Sequence, residues 1–190
     1  MPKIILASAS PRRQELLKQI KIRHHVQVVD IDETPKLNEA PTDYVQRLAF
    51  EKAAACQEKF HPKLPILAAD TTVVLNGKIM GKPQDENDAK AMLQELSGNT
   101  HHVFTAIALF GKKQHSALSI TEVTFKKLSD AQIHAYWQSG EPLGKAGSYA
   151  IQGVASAFIE RINGSFSGVM GLPLFETAQL LALEGIEVIS

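Results

Sequence analysis

Two arginines stand where a helix would ordinarily carry acid. In Ser8-Ala9-Ser10-Pro11-Arg12-Arg13, Ser10 reads as an N-cap and Pro11 as the first helical residue. Arg12 and Arg13 then oppose the positive end of the macrodipole. Free N–H groups, hydroxyls and two guanidinium forks together suit a phosphate; the plainer reading is a pair of solvent-facing arginines. Asp70-Thr71-Thr72 follows the apolar run Ile66–Ala69, so Asp70 is expected at a strand end, where α/β proteins bind ligands. A carboxylate there can hold a divalent metal or take a proton from water; alone it could equally form a turn. Lys52 shares the helical stripe of Val45 and Leu48, so its ammonium must snorkel to water or meet an anion. Lys82 lies between Gly81 and Pro83, which fix the backbone around a cation; by itself this is a turn with an exposed lysine. Gln152 ends a short apolar run before Gly153 and can offer an amide to a base edge, or face solvent. The acidic run Asp30-Ile31-Asp32-Glu33 can add a second carboxylate or form a solvated loop.

These residues need elements to hold them. Lys3–Ala7 reads as a buried first strand, and Leu16, Leu17 and Ile20 give the first helix an apolar side. Val26–Val29 suggests a second strand, and Ile31–Pro41 a loop. A helix beginning at Thr42 or Asp43 buries Val45, Leu48, Ala49, Ala53 and Cys56. Thr72–Leu75, Asn76-Gly77 and Lys78–Met80 spell a hairpin. Asp85 caps a helix that Gly98 ends. Val103–Phe110 and Ser119–Lys127 pair as a long hairpin, and Ser129 with Gln132 forms a capping box. Tyr149–Ile151 and Phe158–Ile162 read as short strands, Asn163-Gly164 as a turn, Pro173 as the start of a last helix, and Val188-Ile189 as an edge strand. Hairpins alternate with crossovers, which predicts an α/β fold with a mixed sheet flanked by helices. With no repeat or linker, residues 1–190 read as a single domain.

Composition narrows the function. Lys plus Arg and Asp plus Glu each number 20, so no polybasic surface is available for a nucleic-acid polymer or a membrane. Any phosphate chemistry must come from a local cluster. The one cysteine, Cys56, excludes an internal disulfide. No run reaches the ~20 apolar residues of a membrane span, and the start lacks a signal-peptide pattern, so the cytoplasm is the expected compartment. The phosphate-binding, dinucleotide-binding, zinc-protease and hydrolase-elbow motifs are missing. Adjacent pairs such as His101-His102 point to opposite faces of a strand and make a poor metal clamp, so the seven histidines are expected at the surface or in loops rather than as metal ligands.

The order and spacing of these pieces resemble the Maf family of nucleotide pyrophosphatases. The resemblance runs from Leu6–Arg13 through Asp32-Glu33, Arg47–Ala53, Ala69–Thr71, Gly81–Pro83, Leu96–His101, Glu141-Pro142, Lys145–Tyr149, Gln152-Gly153 and Gly164-Ser165 to Gly171–Leu174. It implies an elongated, twisted sheet with a central cleft, related to inosine triphosphate pyrophosphatases. It implies hydrolysis of a nucleoside triphosphate to monophosphate and pyrophosphate with a divalent metal, Mg or Mn, and a homodimer. Arg12, Thr71 and Gln152 match the branch acting on dTTP and UTP. On this reading Asp70 orients and deprotonates water, Glu33 and Asp70 hold the metal, and Lys52, Lys82, Arg12 and Arg13 screen the triphosphate. Ser8 binds a phosphate, and Thr71, Gln152 and Arg12 read the base. Four cations would face a substrate charge of about four. The alternatives are clean-up of modified nucleotides and a nucleotide-binding regulator of cell division.

Overall fold

The computed structural model describes residues 3–188. Its centre is one mixed sheet of seven strands. In chain order the elements are β1 (Ile4–Leu6), α1 (Pro11–Gln19), β2 (His24–Val26), α2 (Pro41–Phe60), β3 (Ile66–Leu75), β4 (Lys78–Met80), α3 (Glu86–Leu96), β5 (Thr100–Phe110), β6 (Gln114–Phe125), α4 (Asp130–Gln138), β7 (Ile159–Asn163), α5 (Phe166–Met170) and α6 (Leu174–Leu183). The strand order is β2-β1-β3-β5-β6-β7, with β4 on β3. β1 is parallel to β2 and β3, and every other pair is antiparallel. The α/β mixed sheet read from the sequence is therefore the one observed.

Strand alternation divides the core. Ile66 and Ala68 of β3, with Ala106 and Ala108 of β5, pack against Val45, Ala49, Ala53 and Cys56 of α2. Leu67 and Ala69, with Ile107 and Leu109, face Leu16 and Leu17 of α1 and Leu180 and Leu181 of α6. A third cluster gathers Leu93, Phe125, Ile133, Tyr136, Tyr149 and Phe158 at the other end of the sheet. Burial also decides the fate of α1, whose first turn carries no acid. Leu16 and Leu17 contribute about 1.5–3 kcal/mol each by burial. Each misplaced arginine costs only about 0.3–1 kcal/mol, so packing wins.

The turn signals are realised. Asn76 and Gly77 both have positive φ (50° and 78°), the twist a two-residue hairpin needs. Asp85 accepts from the Asp88 N–H, and Ser129 with Gln132 closes the capping box.

Several boundaries differ from expectation. β3 does not stop at Asp70 but runs on to Leu75, ten residues in all from Ile66, because the β-branched Thr71, Thr72, Val73 and Val74 carry the extended backbone on. β2 ends at Val26. α2 starts at Pro41 behind Ala40, since proline is well suited to the first helical position. The long hairpin begins earlier than expected, pairing Thr100 with Thr124. Tyr149–Ile151 is not a strand; side-chain hydrogen bonds hold it instead. Val188 lies in a bend, and Ile189 lies outside the described residues.

Candidate active site

The site begins where β3 changes partners. Along one edge, β3 pairs with β1 at Ile66 and Leu67, and then with β4 from Val73 to Leu75. Between these contacts neither β1 nor β4 pairs with β3, while β5 covers the opposite edge from Ile66 to Val74. Asp70, Thr71 and Thr72 lie in the fork. The fork is the floor of a cleft of about 570 Å³.

Alternation sends Asp70 and Thr71 to opposite faces. Asp70 follows Ile66 and Ala68 toward α2, where Lys52 meets it. The Lys52 ammonium lies 2.6 Å from Asp70 Oδ1 and 2.6 Å from Glu33 Oε1. The stripe lysine thus escapes neither to water nor to a single partner; it bridges two carboxylates. Lys82 approaches Glu33 Oε2 at 3.7 Å and is otherwise exposed. Glu33 sits on a loop tied to α2: Tyr44 donates to its carbonyl at 2.9 Å, and Arg47 donates to Thr34 O and to both oxygens of Glu39.

Thr71 follows Leu67 and Ala69 toward α1. Arg13 is spent on the protein here, donating to Gly171 O (2.7 Å), Ser8 Oγ (3.0 Å) and Thr71 Oγ1 (3.3 Å). It braces the fork and supplies charge rather than an open fork of donors. Arg12 makes a single longer bond to Met170 O at 3.4 Å, so most of its guanidinium remains free. Ser8 Oγ accepts from Arg13 and from Ser10 N–H, which leaves its own proton to donate to an anion. Ser10 is the N-cap residue, but its side chain makes no capping bond.

The facing wall is the segment from Gly144 to Gln152. Gly147 takes φ +66°, a Cβ there would press on Val73 at 3.0 Å, and its N–H donates to Gly81 O. That contact sets this wall against the Lys82 loop. Gln152 is exposed at the cleft. Lys145 is half-buried, and its ammonium bonds only to Leu143 O at 3.3 Å. Burial, then the nearby Arg12, pull its pKa below the usual lysine value.

Charge in the cleft is uneven. Five cations (Arg12, Arg13, Lys52, Lys82, Lys145) and two carboxylates (Glu33, Asp70) line it, an excess of three positive charges when all are ionised. Burial lifts Asp70 above the usual carboxylate range, with Glu33 adding to the lift and Lys52 and Arg13 opposing it. Burial also works upward on Glu33, but Lys52, Lys82 and Arg13 outweigh it and hold that carboxyl low. Tyr44 is pushed up to about 12, by burial and then by Asp70 and Glu33, so it stays a donor.

Asp70 and Glu33 both reach one ammonium, and so are close enough to share one divalent cation. Two carboxylates completed by phosphate oxygens are a normal set for Mg. Among the described residues no three His, Cys, Asp or Glu gather into a metal cage, so such an ion would need substrate oxygens as well.

All nine residues expected at the site line this one cleft. Sequence reading missed Lys145 as a free cation, although its place in the Lys145–Gly153 block was visible. It also missed Tyr44 and Arg47, whose bonds to a loop 11–13 residues back leave no periodic trace. His101 is a correction: it is fully buried, not at the surface. Its Nε2 meets Tyr149 OH at 2.8 Å, and it packs edge-on against Phe125.

The family profile described as "Maf-like protein" matches residues 3–184. A dTTP/UTP pyrophosphatase of Nitrosomonas europaea is 52% identical over 198 residues, covering 97% of this chain and 96% of its own. One of Cupriavidus pinatubonensis is 51% identical over 189 residues, 94% of each chain. A HAM1 protein of Coxiella burnetii superposes with a TM-score of 0.48 at 22% identity, over 66% of this chain and 73% of its own. With a profile spanning nearly the whole chain and relatives at half identity end to end, this chain belongs to the Maf family.

Proposed function

We propose that the protein hydrolyses dTTP and UTP to the monophosphate and pyrophosphate. The observation that carries the reading is the Asp70–Lys52–Glu33 triad on the floor of a cation-lined cleft. Relatives at about 50% identity bear the name of this activity. Water attacks the α-phosphorus, its oxygen forms the new P–O bond, and the bond to the bridging oxygen of the leaving pyrophosphate breaks. Asp70 orients the water and takes its proton. A lifted pKa makes it a better base than an ordinary carboxylate. Lys52 holds that carboxylate in place. Lys82, Arg12, Arg13 and Lys145 offset the charge that must be gathered on the phosphates, and Ser8 donates to one of them. Lys52 is already balanced by Asp70 and Glu33, so the supply of free cations depends on Lys145 more than on Lys52. A divalent cation held by Asp70 and Glu33 would add screening of the phosphate charge.

Base choice is assigned to Arg12, Thr71 and Gln152. A wrong base leaves the Arg12 and Gln152 polar groups unpaired, which discriminates strongly. The reading carries with it a homodimer in the cytoplasm, which sedimentation and cell fractionation check. A panel of nucleoside triphosphates with Mg or Mn, scoring pyrophosphate and orthophosphate separately, tests the function. Pyrophosphate released fastest from dTTP and UTP supports it; orthophosphate as the product, or binding without turnover, refutes it.

A further inference from the structure

The cleft wall that carries Gln152 is not held by a helix or strand. Tyr149 to Gly153 has irregular backbone, with Gln152 exposed at its centre. A side chain that reads a base needs its backbone fixed. Two side chains that do not line the cleft fix this one. Glu141 Oε2 accepts from Val154 N–H at 2.8 Å, and Oε1 accepts from Ala155 N–H at 3.2 Å. Tyr136 OH donates to Glu141 Oε1 at 2.7 Å and accepts from Ala150 N–H at 3.2 Å. The chain on both sides of Gln152, at Ala150 and at Val154-Ala155, thus hangs from one phenol and one carboxylate. Gly153 belongs to the same device. Its φ of −106° is open to any residue, but a Cβ there would run into the Glu141 carboxylate. The carboxylate, not the backbone, demands glycine.

We infer that Glu141, acting with Tyr136, is a positioning residue for base recognition: it sets where the Gln152 amide stands and so which base is accepted, without touching the substrate. This rests on the base-reading role assigned to Gln152 above. The carboxylate accepts at both oxygens. In Glu141→Gln, whichever way the amide turns, an NH₂ donor meets an N–H or O–H donor, and one side of the loop is released.

The test is steady-state kinetics on dTTP, UTP and GTP for wild type, Glu141→Gln, Gln152→Ala and the double variant, with thermal melts alongside. For Glu141→Gln we expect KM for dTTP and UTP to rise about tenfold, with kcat held within about twofold and GTP unchanged, the pattern of a lost recognition contact. In the Gln152→Ala background the same substitution should add no further loss of pyrimidine preference, because its effect passes through Gln152. Unaltered preference in folded Glu141→Gln, or an equal further loss in the double variant, would overturn the inference and leave Glu141 a brace for stability alone. Tyr136→Phe keeps the ring in the core and removes only the hydroxyl, so it carries the same test if Glu141→Gln does not fold. A wild type with no preference for dTTP and UTP overturns the base-reading role itself, and that result is visible in the wild-type data alone.

Discussion

Removing the Lys52 ammonium should move the acid limb of the pH–rate profile, and the geometry sets how far. Lys52→Met keeps the length and most of the packing of the side chain but deletes the charge 2.6 Å from both Asp70 and Glu33. In wild type, burial raises Asp70, and Lys52 is the largest force opposing that rise, followed by Arg13. With Lys52 gone, burial and the Glu33 charge act against Arg13 alone. Two unit charges about 4 Å apart interact by about 4 kcal/mol at an effective dielectric of 20. Water reaching the half-exposed Glu33 side reduces that. A single neighbouring cation typically holds a carboxylate down by about 1–3 pH units. A base must be ionised to take a proton, so raising its pKa pushes the acid limb of kcat/KM to higher pH, by the same 1–3 units or so. The assay is pyrophosphate release from dTTP between about pH 5 and 9. An acid limb in Lys52→Met that coincides with wild type would refute the argument, because Asp70 could not then be both the base and the partner of Lys52.

Asp70→Asn should lower kcat by at least about a hundredfold with little change in nucleotide affinity by calorimetry; near-normal turnover in a folded variant removes Asp70 as the base. Lys145→Ala should raise KM by a similar factor for every base, since it meets phosphate, and Lys145→Arg should restore it; a loss confined to pyrimidines would move Lys145 to base reading. His101 is held down to about 3 by burial and then by His102, against about 6.5 unfolded. The unfolded chain therefore binds the proton first, and stability should fall as pH drops from about 6.5 toward 3, by up to about 1.4 kcal/mol per pH unit. Urea melts at several pH values check this, and His101→Phe should flatten the slope.

Much of this architecture is legible in local chemistry. The Asn76-Gly77 hairpin, the Asp85 cap and the Ser129–Gln132 capping box are decided by neighbours in sequence, and the structure has all three. Lys52 is legible as a problem, a charge on an apolar stripe; its answer, two carboxylates 18 and 19 residues away, depends on packing. Asp70 is identifiable as a site residue, while its place in mid-strand is not. The fork at β3 comes from β1 and β4 sharing one edge, and strand pairing leaves no mark in a single strand's residues. His101 is invisible for a similar reason: an imidazole on a strand reads as polar until Tyr149 supplies a buried partner. Arg13 looks like a free phosphate ligand until the Gly171 carbonyl and Ser8 occupy its fork. Tyr149–Ile151 has strand composition, but the Ala150 N–H goes to Tyr136 OH and the Val154 N–H to Glu141 instead of to a neighbouring strand.

The central claim is that Asp70 directs water at the α-phosphorus. Hydrolysis of dTTP in ¹⁸O-labelled water, with both products weighed by mass spectrometry, tests it most directly. The account predicts one labelled oxygen in the monophosphate and none in the pyrophosphate. Label in the pyrophosphate would place the attack at the β-phosphorus and contradict the arrangement of base and leaving group proposed for this cleft.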